Sequence, residues 1–142
     1  LFVHGKFRSS ASSVVQAAEA MQASSHPGCA AQKTSAAAKG VETSFRTLLS
    51  KIEAHSEFED TQLFRFFKEQ FPEMGEAIRG LEADHSEKEA EETALTKLKS
   101  LREEPAVATA SANDVATEAV VALKSYAASL EGHLEREERA LV

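Results

Sequence analysis

At 142 residues and a formal charge of −7, the chain is long enough to bury one core, and it lacks the basic stripe that phosphate neutralisation needs, which excludes nucleic acid as a partner. Alanine, leucine, glutamate and lysine are plentiful, tryptophan is absent, and three prolines and six glycines leave long stretches suited to helix. No run of about 18 apolar residues exists, so no membrane span is expected.

The first predicted helix runs from about Leu1 to Gln22, with His4, Phe7, Val14, Val15, Ala18 and Met21 on one stripe. Ser24 to Gly28 is a turn cluster that ends it. The second runs from about Ala31 to Gln70, carrying Val41, Phe45, Leu48, Ile52, His55, Glu59, Leu63 and Phe66 at steps of three and four. Pro72 stops it, because proline lacks an N–H and disfavours helix in the residue before it. The third spans about Glu73 to Glu103, with Ile78, Leu81, His85, Glu89, Glu92 and Leu95 facing one way. Pro105 to Asn113 is read as a loop, with Ser111 or Asp114 capping a fourth helix. That helix carries Leu123, Tyr126, Leu130, His133, Glu137 and Leu141 on one face. No period-two segment competes. The expected fold is all-α, an antiparallel up-down four-helix bundle in a single domain over residues 1–142.

Three times a histidine is followed four residues on by a glutamate: His55/Glu59, His85/Glu89 and His133/Glu137. Positions i and i+4 share a helix face, so each imidazole and carboxylate point the same way, and rods facing inward gather them around a shared point. The depths agree. Pro72 lies 13 residues from both Glu59 and His85, which places both roughly 20 Å from that hairpin at a rise of about 1.5 Å per residue. Glu89 is 16 residues from Pro105 and His133 is 19 from Asp114, so the fourth rod reaches the same level.

Imidazole plus carboxylate without thiolate suits iron, with manganese or zinc as alternatives. Carboxylates buried on apolar stripes need a compensating cation. Three glutamates carry −3, two divalent ions +4, and one bridging hydroxide balances them. The metal ligands expected are therefore His4, His55, Glu59, His85, Glu89, His133 and Glu137. In this assignment Glu59 and Glu137 bridge both ions, His4 and His55 hold one, and His85, Glu89 and His133 hold the other. That leaves the first ion less saturated and more open to oxygen or water.

Leu-Phe-Val-His at the start, His-Ser-Glu-Phe-Glu-Asp-Thr-Gln-Leu-Phe at 55–64, Leu-Glu-Ala-Asp-His at 81–85 and His-Leu-Glu-Arg-Glu-Glu at 133–138 follow in an order that resembles the haemerythrin-like, or HHE cation-binding, domains. The opening Leu-Phe-Val-His-Gly-Lys-Phe-Arg is most similar to the haemerythrin domains of plant and algal iron-sensing ubiquitin ligases of the BRUTUS type. The resemblance implies two iron ions with a bridging oxo or hydroxo group, and an iron- or oxygen-responsive regulatory module. It implies further that this module is non-catalytic and serves a larger E3 ubiquitin ligase in iron homeostasis. Metal ions, dioxygen or another diatomic ligand, and other domains or protein partners of the parent protein are the partners implied. Oxygen-carrying relatives have a histidine where this chain has Glu89, and a more carboxylate-rich set would favour the oxidised metal over reversible oxygen carriage.

The alternatives are a di-iron protein binding oxygen or nitric oxide, an oxidase- or peroxidase-type enzyme, and a metal-free helical interaction module. Lone Cys29 cannot form an internal disulfide and points to a reducing compartment, hence an intracellular, cytoplasmic or nuclear location. The opening at Leu1 without methionine or signal pattern reads as a domain of a larger protein. Glu57, Asp60, Glu87, Glu91, Glu135 and Glu138 read as a solvated helix surface. Phe58, Phe66 and Phe67 read as packing that keeps water from the site, Tyr126 as core, and His26 as a loop residue.

Overall fold

The computed structural model describes residues 2–23, 31–103 and 110–141; the turn cluster with His26 and Cys29, and residues 104–109, lie outside them. Every element is helical: α1 (Phe2–Ala23), α2 (Ala31–Phe58), a π-helical turn (Glu59–Leu63), α3 (Phe64–Gln70), a 3-10 turn (Pro72–Met74), α4 (Gly75–Asp84), α5 (Glu89–Glu103) and α6 (Ala110–Leu141). Among the described residues no strand occurs. The elements make four rods, namely α1, α2 with α3, α4 with α5, and α6. Helix α1 packs on α2 and α6, and α5 packs on α2 and α6, which closes the square of an antiparallel bundle.

The periodic stripes form the core. Phe7, Val14, Ala18 and Met21 from α1 meet Val41, Phe45 and Leu48 from α2, Leu98 and Leu101 from α5, and Val120, Leu123, Leu130 and Leu134 from α6. Each fully buried large side chain here contributes roughly 1.5–3 kcal/mol. A smaller cluster of Phe64, Ile78 and Leu81, with Ala140 and Leu141 against it, forms a separate apolar plug. Along each rod the histidines and acids fall beside or between these two clusters: Glu59 lies between Leu48 and Phe64, and Glu137 between Leu134 and Ala140.

Two of the predicted rods are interrupted. In the second, the π turn at Glu59–Leu63 inserts one extra residue, so the buried position after Glu59 is Phe64 rather than Leu63. The stripe shifts accordingly, and Phe66 is 52% exposed; Phe58, which precedes the turn, is 48% exposed. They do not shield the site as expected; Phe64 does. Pro72 ends the rod as predicted, with Phe71 driven to extended backbone (φ −133°, ψ 77°).

The third rod is not continuous. At its midpoint the bonds tighten to three-residue turns, from His85, Ser86 and Glu87 N–H to the carbonyls of Glu82, Ala83 and Asp84. The Ser86 hydroxyl also donates to the Ala83 carbonyl, taking up an acceptor that a further helical turn would use. Helix resumes at Glu89 in a new register, burying Ala94, Leu98 and Leu101 and leaving Glu92 exposed. Helix α6 starts at Ala110, so Asp114 lies within it rather than at its cap.

Candidate metal centre

His4 rises from the first turns of α1, His55 from the end of α2, Glu59 from the π turn, His85 from the end of α4, and His133 and Glu137 from the last turns of α6. Four rods thus supply six donors to one layer. His4 is 2% exposed, Glu59 1%, Glu137 5% and His133 9%.

All four Nε2 atoms turn inward. His4 Nε2 lies 3.1 Å from Glu137 Oε1, His55 Nε2 3.3 Å from Glu59 Oε2, His85 Nε2 3.5 Å from Glu59 Oε1, and His133 Nε2 3.3 Å from Glu137 Oε2. His85 and His133 bring their Nε2 atoms within 3.1 Å of each other. The donors fall into two sets, His4, His55, Glu59 and Glu137, and Glu59, His85, His133 and Glu137; within each, one atom from every residue lies within 4.8 Å of the others. Both glutamates belong to both sets.

His55 Nε2, both oxygens of Glu59 and Glu137 Oε2 are buried without a hydrogen-bond partner. Leaving a buried carboxylate unsatisfied costs about 1–3 kcal/mol or more. Two cations, each taking two imidazoles and sharing two carboxylates, would satisfy all of these atoms.

The protonation pattern of the cage reflects the same crowding. Burial, and then Glu137 close by, pushes Glu59 up to about 7. Burial acts on Glu137 the same way, but His133, Glu59 and His4 outweigh it and hold Glu137 low. His55 is raised mainly by Glu59. For His133 burial works against the charged ring, yet Glu137 and Asp84 raise it.

Glu89 does not join the cluster. The interruption at residues 85–88 removes the helical turn that would have stacked it on His85, and it stands exposed at the start of α5. Neither donor set therefore contains a third carboxylate among the described residues. The two sets are matched in donors, so neither position is the less saturated.

Three acids read as solvated or passed over instead hold the rings. Asp60 Oδ1 lies 2.9 Å from His85 Nδ1, Asp84 Oδ2 2.9 Å from His133 Nδ1, and Glu138 Oε1 3.3 Å from His4 Nδ1. A carboxylate on Nδ1 fixes the tautomer that presents Nε2 to a metal. Two of these acids are clamped in turn: Arg136 Nη2 donates to Asp84 at 2.6 Å, and Arg8 Nη1 pairs with Glu138 at 2.7 Å while its Nε donates to Glu131 at 2.8 Å. Phe64 stacks on His85, centroids 5.8 Å apart and planes 13° from parallel. The available signal was composition: the chain has three aspartates, and two of them, Asp60 and Asp84, directly adjoin Glu59 and His85. Neighbours in a helix do not face one another, which hides them from a periodicity rule; each reaches a ring on another rod.

Replacing Asp60 or Asp84 by alanine should weaken metal affinity about 10- to 100-fold while leaving two ions bound at saturation. Titration calorimetry reads both quantities, and unchanged affinity in both variants would contradict an orienting role.

Residues 3–142 match the model of the Hemerythrin HHE cation binding domain, and the chain belongs to that family. Among curated proteins and among solved structures no match was found. Among the described residues no helix is long and apolar enough to cross a membrane.

Proposed function

We propose that this domain holds two iron ions between its four rods and works as a non-catalytic, iron- or oxygen-responsive regulatory module. One observation carries the reading: two donor sets share Glu59 and Glu137, and three of the four carboxylate oxygens of this pair are buried without a hydrogen-bond partner. Membership of a cation-binding family supports it. The ligand-bearing segments also suit a sensor. Glu59 and Asp60 sit in a π turn, and Asp84 and His85 at a helix end, where the backbone ladder is weakest and bound metal adds most.

On this reading the module serves a larger iron-sensing ubiquitin ligase, a placement supported by the opening Leu-Phe-Val-His-Gly-Lys-Phe-Arg alone. Elemental analysis and optical spectra, in air and with reductant, test the metal reading. Two irons per chain with an absorption that bleaches on reduction are expected; zinc alone, or no metal, would refute iron.

A second reading, an oxidase- or peroxidase-type di-iron enzyme, draws on one feature: an open groove of about 1380 Å3 reaches His85 and His133. Steady turnover of oxygen or peroxide by iron-loaded protein would favour it over the sensor.

A further inference from the structure

The groove lies between the end of α2, the start of α5 and the middle of α6, and His85 and His133 line it while His4, His55, Glu59 and Glu137 do not. Directly behind His85 Nε2, at 3.5 Å, stands Glu59 Oε1, a partnerless oxygen on a side chain 1% exposed. The groove therefore leads to unsatisfied donors. His55 offers no second way in: its side chain is 24% exposed, but its Nε2 is buried.

The charges along the groove are unequally committed. Its three cations are all engaged, Lys88 with Glu91, Lys97 with Glu118 and Arg136 with Asp84. Asp60 is held by His85. Glu53 and Glu57 on α2, with Glu87 and Glu89 at the interruption of the third rod, are exposed and have no charged partner among the described residues. Four uncompensated carboxylates at the mouth of a low-dielectric cleft concentrate cations there.

We propose that this groove is the path by which divalent cations reach the cage, drawn in by Glu53, Glu57, Glu87 and Glu89 and passing His85 and His133 first. The proposal rests on the metal-binding reading above. It also gives Glu89 a place: on the lip of the path, not among the ligands.

The test is rapid mixing of the metal-free chain with cobalt(II), followed by visible absorption. A variant with Glu53, Glu57, Glu87 and Glu89 all changed to glutamine should load about tenfold more slowly at low ionic strength, and the gap should close as salt screens the charges. It should still take up two ions. A control carrying the same charge change away from the groove, Glu19, Glu69, Glu73 and Glu76 to glutamine, should load at close to the wild-type rate. Equal rates in the two variants would overturn the path while leaving the cage intact. Failure of the unaltered chain to bind cobalt at all would overturn the cage, and the path with it.

Discussion

Stripping metal from the loaded protein with a chelator should lower its thermal midpoint on the order of 10–15 °C. At free metal about a thousandfold above the dissociation constant, binding to the folded state alone contributes about 4 kcal/mol, and a chain of this size shifts by a few degrees per kcal/mol. The physical source is the cage. Without cations, Glu59 and Glu137 face each other as buried acids with three of their four oxygens unpartnered. The loss should be local before it is global, because the donors sit on irregular backbone. Limited proteolysis of metal-free protein should cut first near residues 59–63 and 85–88, the π turn and the interruption of the third rod. Identical digestion with and without metal would remove the basis for a sensor in which occupancy is reported by local opening.

Changing Glu59 to glutamine should have opposite effects on the two states. In the presence of metal it should reduce the stoichiometry from two to at most one, since Glu59 contributes to both donor sets and a neutral amide is a poor bridge. In metal-free protein it should add stability of about 1 kcal/mol, because it removes the desolvation cost of a buried carboxyl group without opening a cavity. Native mass spectrometry and denaturant melts measure the two effects separately. Two ions bound in this variant would show that Glu59 is no bridge. A metal-free variant weaker than the unaltered chain would show that its oxygens were satisfied after all.

The bundle was legible because helical stripes are local: Phe45, Leu48, Leu123 and Leu130 repeat at intervals that only a helix places on one face. Six of the seven residues expected as ligands were legible for the same reason, each standing on a stripe at a common depth, and the structure gathers them. Glu89 fails because the rule assumes an unbroken helix. Ser86 and the tightened turn around it end that assumption, through side-chain competition for the Ala83 carbonyl that no periodicity records. Asp60, Asp84 and Glu138 were hidden differently. Each supports a ring on another rod, so its role depends on how rods pack and not on its own stripe. Phe66 was misplaced by one extra residue in the π turn.

That extra residue makes spacing as consequential as residue identity. Between His55 and Phe64 the polypeptide is wound loosely by a single position; deleting one amino acid there would restore four-residue spacing between Glu59 and Phe64, whereas the same deletion in the regular helix between Leu48 and His55 would turn the donors about 100° away from the core stripe. In the first case Phe64 keeps its place against His85; in the second His55 and Glu59 leave the cage with no side chain altered. Divergence in this family can therefore abolish cation uptake through a change of length that every composition-based comparison would score as trivial.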